Sequence, residues 1–142
     1  MLLIATMAPR GASATLGGAM ASVEADQQVM NASQQITANN AAYTVYELQT
    51  AAGTKIREYV SSAGTVFAVA WDGPSLPDLR QLFGSYFAQY TEAAAAARRG
   101  HGHLVIRGPE LIVESSGHMR AFFGRAYLPK TLPQDVTLSD IR

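Results

Sequence analysis

The sequence predicts an α+β domain, an antiparallel sheet with one long helix packed on one face. Three observations lead there. A nearly unbroken apolar run, "VFAVAW" at 66–71, reads as a buried strand, and strand-favouring stretches precede it. Leu79, Leu82, Phe83, Tyr86, Phe87 and Tyr90 recur at three- and four-residue steps, the period of one apolar helix face. The chain is 142 residues long, 48% hydrophobic and 15% charged, which suits a single domain with a sizeable core.

The elements follow in order. Residues 15–42 are rich in Ala, Gln, Asn, Ser and Gly, with Leu16, Met20, Val23, Met30 and Ile36 as the few large apolar residues. That stripe is thin, so the segment reads as a flexible, partly helical tether outside the core, with a polar helix expected over 22–35. Strands are expected at 43–48, 54–60 and 66–71. The links between them are short and contain Gly53 and Gly64, which predicts an antiparallel meander. Asp72-Gly73-Pro74 ends that run. Ser75 is placed to cap a helix over 76–98, with Asp78 as its acidic partner and Pro77 tolerated in the first turn. Ala93 to Ala97 extends the helix, Arg98 and Arg99 suit its negative end, and Gly100 stops it. Further strands are expected at 104–107, 111–115 and 118–127, with a turn at Ser115-Ser116-Gly117 and a bend at Gly124. The domain proper covers 43–133, and 134–142 is an irregular tail. Burying six large helix side chains contributes on the order of 10 kcal/mol gross, most of which offsets chain entropy.

Composition excludes several chemistries. Lys and Arg number 11, Asp and Glu number 11, and the net charge is zero, so the basic surplus of a nucleic-acid binder is missing. Cysteine is absent, which rules out disulfides, thiolate nucleophiles and cysteine-ligated metals. The opening "MLLIATMAPRGASA" pairs a short apolar run with an A-x-A-like site at 12–14. It reads as the back half of a secretory signal peptide. No Lys or Arg precedes the apolar run, as expected if the true start lies further upstream. Removing residues 1–14 takes away Arg10 alone among the charges, leaving 10 basic against 11 acidic residues, a net of about −1. No later stretch is unbroken enough to span a bilayer, because Leu76 to Ala97 contains Pro77, Asp78, Arg80 and Glu92. A periplasmic or secreted, soluble protein is the expectation, with no transmembrane segment after leader removal.

Two stretches, "REYVSSAGTVFAVAWDGPSLPDLRQLFGSYF" at 57–87 and "ESSGHMRAFFGRAYLP" at 114–129, resemble the bacterial domain-of-unknown-function family 2844. "TLGGA" at 15–19 looks like that family's mature start. The resemblance implies an exported bacterial protein of one domain and assigns no catalytic residue.

Candidate site residues are Trp71, Asp72, Asp78, His118 and Arg120. Trp71, Asp72 and Asp78 would rim a groove where strand meets helix, and the two carboxylates could form an acid/base pair. Turn, cap and packing roles account for the same residues more economically. His118 and Arg120 would form an anion site on one face of a strand. The plainer reading pairs the arginines here with Glu58, Glu114 or solvent. "GHGH" at 100–103 has chelating spacing but too few partners. No nucleophile elbow, zinc-protease motif or phosphate loop occurs, so no metal, cofactor or catalytic residue is expected. The function expected is a non-enzymatic domain binding another envelope protein. The alternative is a small-ligand binder or hydrolase with a pocket between helix and sheet, where Trp71, Asp72, His118 and Arg120 converge.

Overall fold

The computed structural model describes residues 16–97 and 102–142. Seven strands form one antiparallel sheet: β1 (Ser33–Asn39), β2 (Tyr43–Gln49), β3 (Lys55–Ser61), β4 (Val66–Gly73), β5 (His103–Arg107), β6 (Ile112–His118) and β7 (Ala121–Tyr127). Their order across the sheet is β1-β2-β3-β4-β7-β6-β5. Thus β4 lies at the centre, and residues 66–71 are all buried. Both of its faces are covered, which is why the run is continuously apolar and does not alternate. A bulge supplies an extra residue here: Tyr59 pairs with Ala68, but Val60 pairs with Val66. Val66, Val69 and Trp71 therefore join one core cluster, while Phe67, Ala68 and Ala70 join another.

The first cluster lies under the helices. The aromatic stripe packs as its spacing predicts, with Leu82 and Phe83 fully buried and Tyr86, Phe87 and Tyr90 half-buried against the core. The ring of Phe83 lies 6.0 Å from Trp71 and 5.0 Å from Tyr90. The helix is divided, however. After α1 (Ala21–Val29) come α2 (Leu79–Phe83), a 3-10 turn (Gly84–Tyr86) and α3 (Phe87–Ala96). Gly84 has φ 50°, a value that glycine adopts at little cost, and the regular helix is interrupted there. The helix also starts later than Ser75 would place it. Ser75 instead engages Thr54, whose hydroxyl donates to the Ser75 carbonyl at 2.8 Å. Leu76 precedes a proline and is biased away from helix. Asp78 becomes the cap, and its Oδ1 accepts from the Gln81 amide at 3.1 Å.

Residues 16–42 belong to the domain and do not stand apart as a tether. Leu16 and Val23 fill the helix-side core, and the Leu16 amide donates to the Leu82 carbonyl at 3.0 Å. The segment supplies α1 and then β1, which pairs with β2 from Ser33–Gln49 to Asn39–Thr44. β1 is an edge strand beyond the core and mostly exposed, so it carries no apolar alternation to read. The second face of the sheet is closed by the C-terminal segment. Val136 and Ile141 are buried with Val45, Tyr59, Phe67 and Tyr127. A short 3-10 turn (Leu138–Asp140) is held by Thr137, whose amide donates to Asp140 at 2.8 Å and lowers the pKa of that carboxyl.

The expected strand at 118–127 is also revised. β6 runs straight through Ser115-Ser116-Gly117, and the turn is Met119-Arg120. Arg120 has φ 64°, a left-handed conformation taken without glycine or asparagine. Residues 1–15 and 98–101, which include the expected leader (1–14), the expected helix stop and the first histidine of "GHGH", lie outside the described residues. No helix among the described residues is long and apolar enough to cross a membrane.

Candidate functional site

The register builds a charged row on the tail-covered face. Glu47 pairs with Arg57, Arg57 with Ala70, Ala70 with Arg125, and Arg125 with Glu114. Arg57 donates from both terminal nitrogens to Asp72 Oδ2 at 3.1 Å and lies 3.8 Å from Glu47. Arg125 Nε donates to Glu114 Oε2 at 2.8 Å. The small side chain of Ala70 leaves the space between the two guanidinium groups open to the tail. Both arginines then grip the tail backbone. Arg57 donates to the Arg142 carbonyl, and Arg125 donates to the carbonyls of Leu138 and Ile141, the latter at 3.2 Å. Tyr59 adds a bond from its hydroxyl to the Arg142 carbonyl at 3.0 Å. Asp72 and Glu47 beside Arg57, and Glu114 beside Arg125, thus balance the two charges, while the remaining donors hold the tail backbone.

Beside this clasp lies a cavity of about 390 Å³. It is bounded by the sheet on one side and by Ile141 and Arg142 on the other. The adjacent row of the register, Asp72–Phe123–Ser116–His103, lines it. Phe123 is 56% exposed, unusual for an aromatic side chain on a sheet face. Because Arg57 and Arg125 are each matched by a carboxylate, the cavity offers an apolar surface with polar edges and little net charge. That favours insertion of an apolar side chain or ring over capture of a multiply charged ligand.

The sequence candidates separate. Trp71 and Asp72 line this cavity. The indole of Trp71 nevertheless packs on the opposite, helix-covered side, and its Nε1 has no hydrogen-bond partner among the described residues. Asp72 is the partner of Arg57. Asp78 is an exposed helix cap. His118 and Arg120 are exposed at the β6–β7 turn and do not line the cavity. The four residues proposed to converge are therefore not gathered in one pocket, and this cavity lies between sheet and tail, not between helix and sheet. Among the described residues, no three His, Asp or Glu side chains are placed to share a metal ion.

Two features escaped the sequence reading. The arginine clasp needs the tail to return across the sheet, which no local pattern announces. The second is a buried pair of acids. Asp26 on α1 and Glu58 on β3 are both fully buried. Gln81 Nε2 donates to Asp26 Oδ1. Burial pushes the Asp26 carboxyl up to about 6, against the lowering effect of the Gln81 bond. A signal existed for Glu58: it shares a strand face with Ile56 and Val60, so an acid stands in the middle of an apolar side. Of the acids suggested as arginine partners, Glu114 takes that role and Glu58 faces the helices.

A family model described as "Protein of unknown function (DUF2844)" matches residues 12–141. No curated protein and no solved structure matches the chain. The matched span takes in every strand and helix described above, from the N-terminal segment to Ile141 in the tail. By that near-complete match, the chain belongs to the family of proteins of unknown function DUF2844.

Proposed function

We propose that the protein is a non-enzymatic binding domain exported to the bacterial cell envelope, and that it meets a partner protein with the sheet face carrying Phe123. The observation that supports this reading is the exposed Phe123 ring beside a cavity of about 390 Å³ with internally paired charges. Aromatic side chains next to a fillable pocket are common anchors of protein interfaces. Export rests on the A-x-A-like site at 12–14, and the mature chain would start at Thr15.

Phe123→Glu tests the reading with little risk to the fold, since the ring is more exposed than buried. Immobilised wild-type domain is expected to retain a partner from envelope extract, and the variant to retain it at least about tenfold less, the effect of losing one anchor. Equal recovery by both, with unchanged thermal melting, would contradict it.

A second reading, a small-ligand binder, is favoured by the cavity volume, which falls in the range of small-molecule sites. It places the ligand against Phe123 and the tail. A small molecule that co-purifies with the domain and is lost with Phe123→Glu supports this reading over the first.

A further inference from the structure

β1 and β5 form the two edges of the sheet, and the edges differ. An edge strand leaves a row of backbone donors and acceptors unpaired, and short length, charged side chains or proline normally protect it. β5 has such protection. It is five residues long, ends on the exposed Arg107 and is soon followed by Pro109. β1, Ser33-Gln34-Gln35-Ile36-Thr37-Ala38-Asn39, is seven residues long and holds neither a charge nor a proline. A bulge between Ile36 and Ala38 interrupts it, which leaves the stretch 33–36 regular. Among the described residues, no strand lies on its outer side.

Apolar side chains stand uncovered beside that edge. Ile36 pairs with Tyr46, which packs on the helix side of the sheet, and the Tyr46 hydroxyl lies 3.3 Å from Met20 Sδ. Ile36 and Met20 are each more than half exposed. Val29, which closes α1 just before β1 begins at Ser33, is more than half exposed as well. Such a grouping differs from the single apolar residues scattered on ordinary surfaces. The one charge on the neighbouring strand, Glu47 of β2, is already engaged. Gln35 Nε2 donates to its Oε1 at 3.1 Å, and Arg57 lies 3.8 Å from it.

We propose that β1 is a dimerisation edge: it pairs antiparallel with β1 of a second copy of this chain and joins two sheets into one. Symmetry and charge together select this occupant. A two-fold axis normal to the sheet sets a strand antiparallel to its own copy and keeps each face on the same side. Ile36 of both copies, with Met20 near each, then lies on one side of the seam, where apolar surface is withdrawn from water. Self-pairing brings any charge on the strand close to its own like, which destabilises the pair. β1 carries no charge and escapes that cost. A strand suited to a charged foreign edge would carry the complementary charge, which β1 lacks. Phe123 lies on β7, beyond β4 from this edge, so the inference does not depend on the partner-binding face.

Sedimentation equilibrium of the full chain tests the dimer. The wild type is expected to show the dimer mass at about 100 μM and to dissociate on dilution. Ile36→Lys sets like charges beside the axis and is expected to weaken the dimer at least about tenfold. Amide hydrogen exchange of the wild type locates the seam. Protection of β1 amides is expected to rise about tenfold between about 2 μM and about 200 μM protein, while β5 amides keep theirs. The proposal is overturned by a monomer at about 100 μM, by a dimer that Ile36→Lys leaves intact, or by concentration-dependent protection at β5 in place of β1. Should Ile36→Lys fail to fold, the exchange measured on the wild type decides alone.

Discussion

Phe83→Ala is expected to destabilise the domain by about 3–5 kcal/mol, the range for emptying a buried aromatic site. Phe83 is fully buried at the end of α2. Its ring joins three elements, meeting Trp71 of β4 at 6.0 Å and Tyr90 of α3 at 5.0 Å. Gly84 follows at once, so the ring is the last buried anchor before the regular helix is interrupted. Its removal leaves a hole that neither helix can close without giving up its own contacts. Urea unfolding followed by circular dichroism measures the loss. Phe123→Ala is the matched control. It is the same residue type on the other face, more than half exposed, and should cost less than about 1 kcal/mol. Equal effects of the two substitutions would mean that the helix-side aromatics do not carry the core.

Gly124→Ala is expected to cost about 3 kcal/mol or more, the upper part of the range for overpacking. A Cβ at this position would lie 2.5 Å from Trp71 Cζ2 and 2.8 Å from the Glu114 carbonyl oxygen. Neither neighbour can yield easily. The indole is held by Phe83, and the carbonyl belongs to the ladder between β6 and β7. The sequence places a bend at Gly124, yet the strand is regular there; glycine is required because tryptophan lies across it. Trp71→Phe removes the clashing ring atoms and should recover part of the loss in the double variant. A double-mutant cycle by urea unfolding measures that coupling, and strictly additive losses would contradict the steric account.

These two sites show what the sequence made legible. The helix stripe and the β4 run were readable because each repeats one local period many times, and burial then follows from packing two such surfaces together. β1 was unreadable for the opposite reason: an edge strand exposed on both sides has no apolar face to alternate. The Met119-Arg120 turn uses a left-handed arginine where glycine or asparagine would have marked it. The tail's role depends on Ile141 meeting residues more than 80 positions earlier, through Arg57 and Tyr59 on β3 contacting its neighbour Arg142. The candidate site was legible in the same uneven way. Asp72 was found as an acid at a strand end, but its partner Arg57 and the exposed Phe123 gain meaning only from cross-strand register. His118 and Arg120 looked like a pair because they are close in sequence; the turn between them breaks the alternation that would have aligned them.

The most direct measurement uses the chain's single tryptophan. Steady-state emission and acrylamide quenching report whether the indole sits in the apolar layer between the helices and the central strand. The account predicts blue-shifted emission and strong protection from quencher in the native wild-type protein. Emission like that of free tryptophan, quenched just as readily, would mean that the helices do not cover that face.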